Sequence, residues 1–145
     1  MILDYFSQSL DRPKGLRSMG QRLLIVDDEP QICDYIKAVA EPMGFDVEVT
    51  SGGEDFLEAY DRETPTLICL DMVMPKVDGL QLLNELIARD CKSPVLIISG
   101  YNRLFMDSTK NLGDAYGSPY IKSLEKPIRI ETLENGLREA VQFAQ

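Results

Sequence analysis

Leu23-Leu24-Ile25-Val26-Asp27-Asp28-Glu29-Pro30 is the stretch on which the fold turns. Four apolar residues in an unbroken row read as a short strand covered on both faces, as the central strands of a parallel sheet are. Pro30 suits the first turn of a helix, where its missing N–H costs nothing. Ile32, Ile36, Val39 and Met43 then follow at helical spacing. The segment is therefore a strand–turn–helix unit whose turn is acidic and lies at the carboxyl end of the strand.

The same signature recurs along the chain. Leu67-Ile68-Cys69-Leu70 and Val95-Leu96-Ile97-Ile98 are further continuous apolar runs. Val47 and Val49 alternate with Asp46 and Glu48, which suits a half-exposed edge strand, and Tyr120 to Leu124 gives a weaker fifth strand. Between the strands, Phe56, Leu57 and Tyr60 mark a second helix, and Leu80, Leu83, Leu86 and Ile87 a third. Leu133, Leu137, Ala140 and Val141 mark the last, and Asn102 to Gly113 reads as a poorly patterned helix. Strands alternating with helices give a βαβ series and a parallel sheet. Right-handed crossovers then wind it into a three-layer αβα sandwich. In such a domain ligands bind beyond the carboxyl ends of the strands.

Composition limits what that site can do. The chain has 145 residues, 44% hydrophobic and 27% charged, which are ordinary values for a globular protein with one core. Its formal net charge is −9, which argues against nucleic acid or an anionic membrane as partner. There is no histidine, so Ser–His and Cys–His catalysis, imidazole zinc sites and a phosphohistidine carrier role are excluded. The three cysteines, Cys33, Cys69 and Cys91, show no CxxC spacing. They read as reduced thiols, and with no leader segment in the sequence the expected location is the cytoplasm. Residues 1–20 include the breaker-rich Asp11-Arg12-Pro13-Lys14-Gly15 and read as a flexible N-terminal extension; residues 21–145 form the domain.

At the strand ends stand Asp27-Asp28-Glu29, Asp71, Ser99-Gly100 and Glu125-Lys126-Pro127. Taken singly, each has an ordinary explanation: an acidic turn, a helix cap, a surface lysine. Together they place carboxylates, a hydroxyl and an ammonium at one edge. Clustered carboxylates repel, and a hard divalent cation with oxygen ligands, such as magnesium, relieves that repulsion. A carboxylate nucleophile can accept a phosphoryl group as an acyl phosphate, while lysine and metal neutralise the charge on its oxygens.

These residues resemble the receiver domain of bacterial response regulators in two-component signalling. The resemblance is carried by Leu24-Ile25-Val26-Asp27-Asp28-Glu29-Pro30, Leu70-Asp71-Met72-Val73-Met74-Pro75-Lys76-Val77-Asp78-Gly79, Ile98-Ser99-Gly100 and Lys126-Pro127, and it covers about residues 21 to 143. It implies a flavodoxin-like, five-stranded parallel sheet of order 2-1-3-4-5. Asp71 would be the phosphoacceptor. Asp27, Asp28, Asp71 and the backbone carbonyl of Val73 would hold Mg2+ (or Mn2+). Ser99 would be the switch hydroxyl, Lys126 would pair with the phosphoryl group, and Pro127 would follow a cis bond. The donor would be a histidine kinase or a histidine phosphotransfer protein. A downstream protein would read the face running from Ser99 to Gln145; no output domain is expected after the last helix, so the product would be a stand-alone regulator, a relay intermediate or a fragment of a longer protein.

The sequence departs from that family in three places. Ser123 stands where an aromatic switch residue is usual; Tyr101, Phe105 or Tyr116 could take over. The segment from Ser99 to Lys126 is longer than usual, which implies either an unusual partner or a tolerated loop extension. Val73 and Tyr101 are bulky and uncharged at positions that tune hydrolysis, so a phosphoryl state lasting minutes or more is expected. Two other readings compete. A haloacid-dehalogenase-type phosphohydrolase would want a second Asp two residues after the nucleophile, where Val73 stands. A receiver-shaped interaction domain that is never phosphorylated would not need the acidic cluster and lysine.

Overall fold

The computed structural model describes residues 20–71, 73–74, 77–100 and 121–144; for residues 73, 74, 77, 78 and 99 it describes the backbone. Strand β1 (Gln21–Val26) leads into helix α1 (Pro30–Ala40), with Pro30 in its first turn. A 3-10 turn over Glu41–Met43 then closes on Gly44, whose φ of 99° is a left-handed conformation suited to glycine. Strand β2 (Phe45–Thr50), α2 (Gly53–Arg62), β3 (Leu67–Asp71), α3 (Gly79–Ala88), β4 (Val95–Ser99), β5 (Ile121–Glu125) and α4 (Ile130–Ala144) follow. All neighbours in the sheet are parallel and the order is β2-β1-β3-β4-β5, the 2-1-3-4-5 topology expected. A small antiparallel pair, Val73–Met74 with Val77–Asp78, stands apart between β3 and α3. Strands of two residues carry no periodicity, and the sequence gives no sign of this hairpin.

Successive strand residues point to opposite faces, and this divides the core in two. One side holds Leu23, Ile25, Leu67, Cys69, Leu96, Ile98 and Leu124 beneath α1 and α4. The other holds Leu24, Val26, Ile68, Leu70, Val95 and Ile97 beneath α2 and α3. The continuous apolar runs are thus explained, because both faces of the central strands are covered. β2 and β5 are the edge strands, and on β2 Val49 is 42% exposed.

Two helices present a slightly different face from the one their leucines and isoleucines suggest. On α1 the fully buried residues are Cys33, Ile36 and Ala40, with Ile32 and Val39 only packed alongside. On α3 the buried set is Gly79, Leu82, Leu83 and Leu86, with Leu80 at the margin. Close approach shapes α4: a Cβ built on Gly136 would lie 3.3 Å from Leu124 Cδ1 and 3.7 Å from Leu96 Cδ1.

The expected extension, all but Gly20, lies outside the described residues. So do the helix expected over Asn102 to Gly113 and the aromatics Tyr101, Phe105, Tyr116 and Tyr120.

Candidate functional site: an acidic sheet edge with one lysine

Register decides which side chains meet. β1 and β3 pair with Val26 opposite Leu70, so Asp27 leaves β1 beside Asp71, the last residue of β3. Asp71 pairs with Ile98 on β4, and Ser99 pairs with Glu125 on β5, one residue before Lys126. The sheet therefore delivers Asp27, Asp71, the Ser99 backbone and Lys126 to one edge. The Ser99 side chain lies outside what is described, as does that of Val73.

Asp27 and Asp71 are buried, at 3% and 2% residual exposure. The N–H of Glu29 donates to Asp27 Oδ1 at 2.9 Å. Asp27 Oδ2 is buried with no hydrogen-bond partner among the described residues. Burial pushes the Asp27 carboxyl above its ordinary range. The Glu29 N–H, the Lys126 charge and Asp71 work in the other direction but do not cancel it. One oxygen from each of Asp27, Asp28, Glu29 and Asp71 can be chosen so that all lie within 4.8 Å of one another.

Among the described residues, Lys126 is the cation at this edge. Its Nζ lies 3.2 Å from Glu29 Oε1 and 3.8 Å from Asp71 Oδ1. Partial burial disfavours its charge, but Asp71, Glu29 and Asp27 together outweigh that and raise its pKa. The Lys126–Pro127 peptide is cis. Just beyond it, the Tyr35 hydroxyl on α1 donates to the Ile128 carbonyl at 2.7 Å, fastening the loop that carries the lysine. On the other flank, the Asp27 N–H donates to the Thr50 carbonyl at 3.2 Å and Thr50 Oγ1 donates to the Ile25 carbonyl at 2.7 Å.

Sequence reasoning assigned no role to Glu29 or Tyr35. Glu29 is visible as the third acid of the Asp27-Asp28-Glu29 run. Tyr35 carries no signal, since its partner is a backbone carbonyl 93 residues away. Ser123 sits half-buried on β5, paired with Ile97.

The donor set is oxygen only, which suits a hard divalent cation. The partnerless buried oxygen of Asp27 is the kind of group such an ion satisfies. These residues fit magnesium.

A family model for the response regulator receiver domain matches residues 23–138. The chain belongs to that family. This receiver is 32% identical over 120 residues to the transcriptional regulatory protein TrcR of Mycobacterium tuberculosis, covering 81% of this chain and 44% of that protein. It is 33% identical over 87 residues to the alkaline phosphatase synthesis transcriptional regulatory protein PhoP of Bacillus subtilis, covering 60% of this chain and 36% of that one. It thus spans less than half the length of these two curated relatives. Among solved structures it resembles the receiver domain of the Francisella response regulator 1452, with TM-score 0.73, 26% identity and coverage of 86% of this chain and 99% of that one. The fold is also that of the chemotaxis protein CheY4 of Vibrio cholerae, with TM-score 0.72, 23% identity and coverage of 83% and 98%. Among the described residues no helix is long and apolar enough to cross a membrane.

Proposed function

We propose that this receiver accepts a phosphoryl group on Asp71 from a phosphohistidine of a kinase or phosphotransfer partner. The observation that carries the reading is the pair of buried carboxylates, Asp27 and Asp71, on adjacent strands with one lysine beside them. Two like charges about 4 Å apart cost about 4 kcal/mol at an effective dielectric near 20. A fold that maintains such an arrangement without a structural use for it is adapted to a ligand that relieves it.

In the transfer, a carboxylate oxygen of Asp71 forms a bond to phosphorus as the P–N bond to the donor imidazole breaks. The electron pair stays on the imidazole nitrogen, which takes a proton from water. Lys126 lies where its ammonium can neutralise a phosphoryl oxygen, and the loop behind it is held by Tyr35. Asp27 and Asp28, with Asp71 and the Val73 carbonyl, would hold Mg2+ or Mn2+, which supplies charge neutralisation for the phosphoryl oxygens. The Ser99 hydroxyl would donate to one of those oxygens.

The phosphoryl group carries about −1.5 to −2 charges where the Asp71 carboxylate carried one. That change biases the surface from Ser99 to Gln145, and a protein partner in the cytoplasm reads it. The domain serves as a phosphoacceptor and not as an enzyme with a separate substrate. The net charge of −9 makes a protein, not nucleic acid or membrane, the fitting partner of this domain. The bulky, uncharged Val73 and Tyr101 give a phosphoryl state that lasts minutes or more.

The test is intact mass after incubation with acetyl phosphate, with and without Mg2+, and then with a phosphorylated kinase. A gain of one phosphoryl group that requires the metal and is absent in Asp71→Ala supports the reading. No gain from either donor, in a folded protein, contradicts it. Decay within seconds of donor removal would contradict the long-lived state alone.

A further inference from the structure

Lys126 is shared unequally. Its ammonium is nearer to Glu29 Oε1, at 3.2 Å, than to Asp71 Oδ1, at 3.8 Å. Glu29 is not placed there by chance of a loose side chain. Its N–H donates to Asp27 Oδ1. Its carbonyl accepts the N–H groups of Ile32 and Cys33, at 3.1 and 3.2 Å, at the start of α1. Both ends of its backbone are pinned, and its carboxylate lies beside the lysine. From this geometry we infer that Glu29 is a positioning residue that holds the Lys126 ammonium in the resting receiver and competes with the phosphoacceptor for it. The inference rests on the phosphoryl reading above and adds a restraint to it.

The competition has a physical direction. A phosphoryl group on Asp71 carries more charge than the carboxylate it replaces, so the balance at Lys126 moves from Glu29 toward the phosphoryl oxygens. Until then Glu29 withholds part of the charge that would stabilise the transfer. Glu29 is 57% exposed, so water weakens its hold and the effect is modest.

Uptake rates from acetyl phosphate at saturating Mg2+ test this in four proteins: wild type, Glu29→Gln, Lys126→Met and the double variant. The expected result is uptake about two- to fivefold faster in Glu29→Gln than in wild type, the scale of an exposed ion pair. No change is expected between Lys126→Met and the double variant. An equal acceleration in both backgrounds would mean that Glu29 merely repels the donor, which overturns the inference. Unchanged uptake, or slower uptake with weakened Mn2+ binding by electron paramagnetic resonance, overturns it too, the latter because Glu29 would then be a metal ligand. A second readout needs no phosphoryl transfer. In metal-free protein, the nitrogen resonance of the Lys126 ammonium should shift in Glu29→Gln; an unmoved resonance contradicts the resting pair. If wild type takes up no phosphoryl group from acetyl phosphate or from a phosphorylated kinase while this resonance shifts, the phosphoryl reading fails and the pair itself stands.

Discussion

Both edges of the central sheet bury charge, and they do so in opposite ways. At the amino edge Arg22, 8% exposed, donates from Nη2 to Glu48 Oε1 at 2.6 Å and to the Ala59 carbonyl at 3.4 Å, and its Nε lies 3.5 Å from Glu63 Oε2. Arg62 pairs with the same Glu48. The charges cancel, and they tie β1 and β2 to α2. At the carboxyl edge two buried aspartates face one shared lysine, and among the described residues the charges do not cancel. Buried charge as such is therefore no sign of a functional site. An uncompensated sum of buried charge is, because it stores a demand for a cation and a substrate.

Substitutions at the two edges should separate accordingly. The largest stability effect belongs to the amino edge. Arg22→Ala removes a guanidinium with two acidic partners, although Glu48 keeps Arg62 and reaches water. A loss of about 2 kcal/mol in urea unfolding is expected, below the cost of breaking a fully buried pair because both acids reach water, with Mg2+ affinity unchanged. An equal loss of Mg2+ affinity would erase the distinction between the edges.

The carboxyl edge should behave in the reverse sense. Because the folded pKa of Asp27 is raised above its ordinary 3.8, the folded state keeps a proton that the unfolded state has released. Metal-free stability therefore falls as pH rises upward from about 4. Asp27→Asn should flatten this slope and leave the metal-free protein more stable at neutral pH. It should also remove most of the stabilisation that Mg2+ gives the wild type. Thermal unfolding across pH, with and without the ion, checks both; destabilisation of the metal-free fold would show that Asp27 is structural.

The smallest effect sharpens the boundary between support and site. Tyr35→Phe deletes one partly buried hydrogen bond to Ile128 and should cost about 1 kcal/mol. Mg2+ affinity, measured by calorimetry, should stay the same, because Tyr35 touches the lysine loop and none of the acids.

Much of this was legible before any coordinates. The unbroken runs at Leu23, Leu67 and Val95 fixed three central strands, because only strands covered on both faces can be apolar throughout. With the topology known, Asp27, Asp71 and Lys126 had to converge, since all three leave the sheet at its carboxyl edge. What stayed hidden depended on how the elements pack. The turn of α1 toward Cys33 and Ala40 rests on side chains too small to stand out in an apolar pattern. Glu29 meets Lys126 across 97 residues of sequence, which no spacing expresses. The Arg22 network joins residues from β1, β2 and α2 whose proximity follows only from the packed layers.

The central claim is a chemical bond on a particular side chain, and borohydride trapping addresses it most directly. The protein is phosphorylated with Mg2+, treated with sodium borohydride, and digested for peptide mass mapping. An acyl phosphate on aspartate is reduced to homoserine. The expected result is homoserine at position 71 alone, appearing only when both the phosphodonor and Mg2+ were present. Homoserine at position 27 or 28, or a phosphorylated protein with no reducible acyl group, would contradict the account.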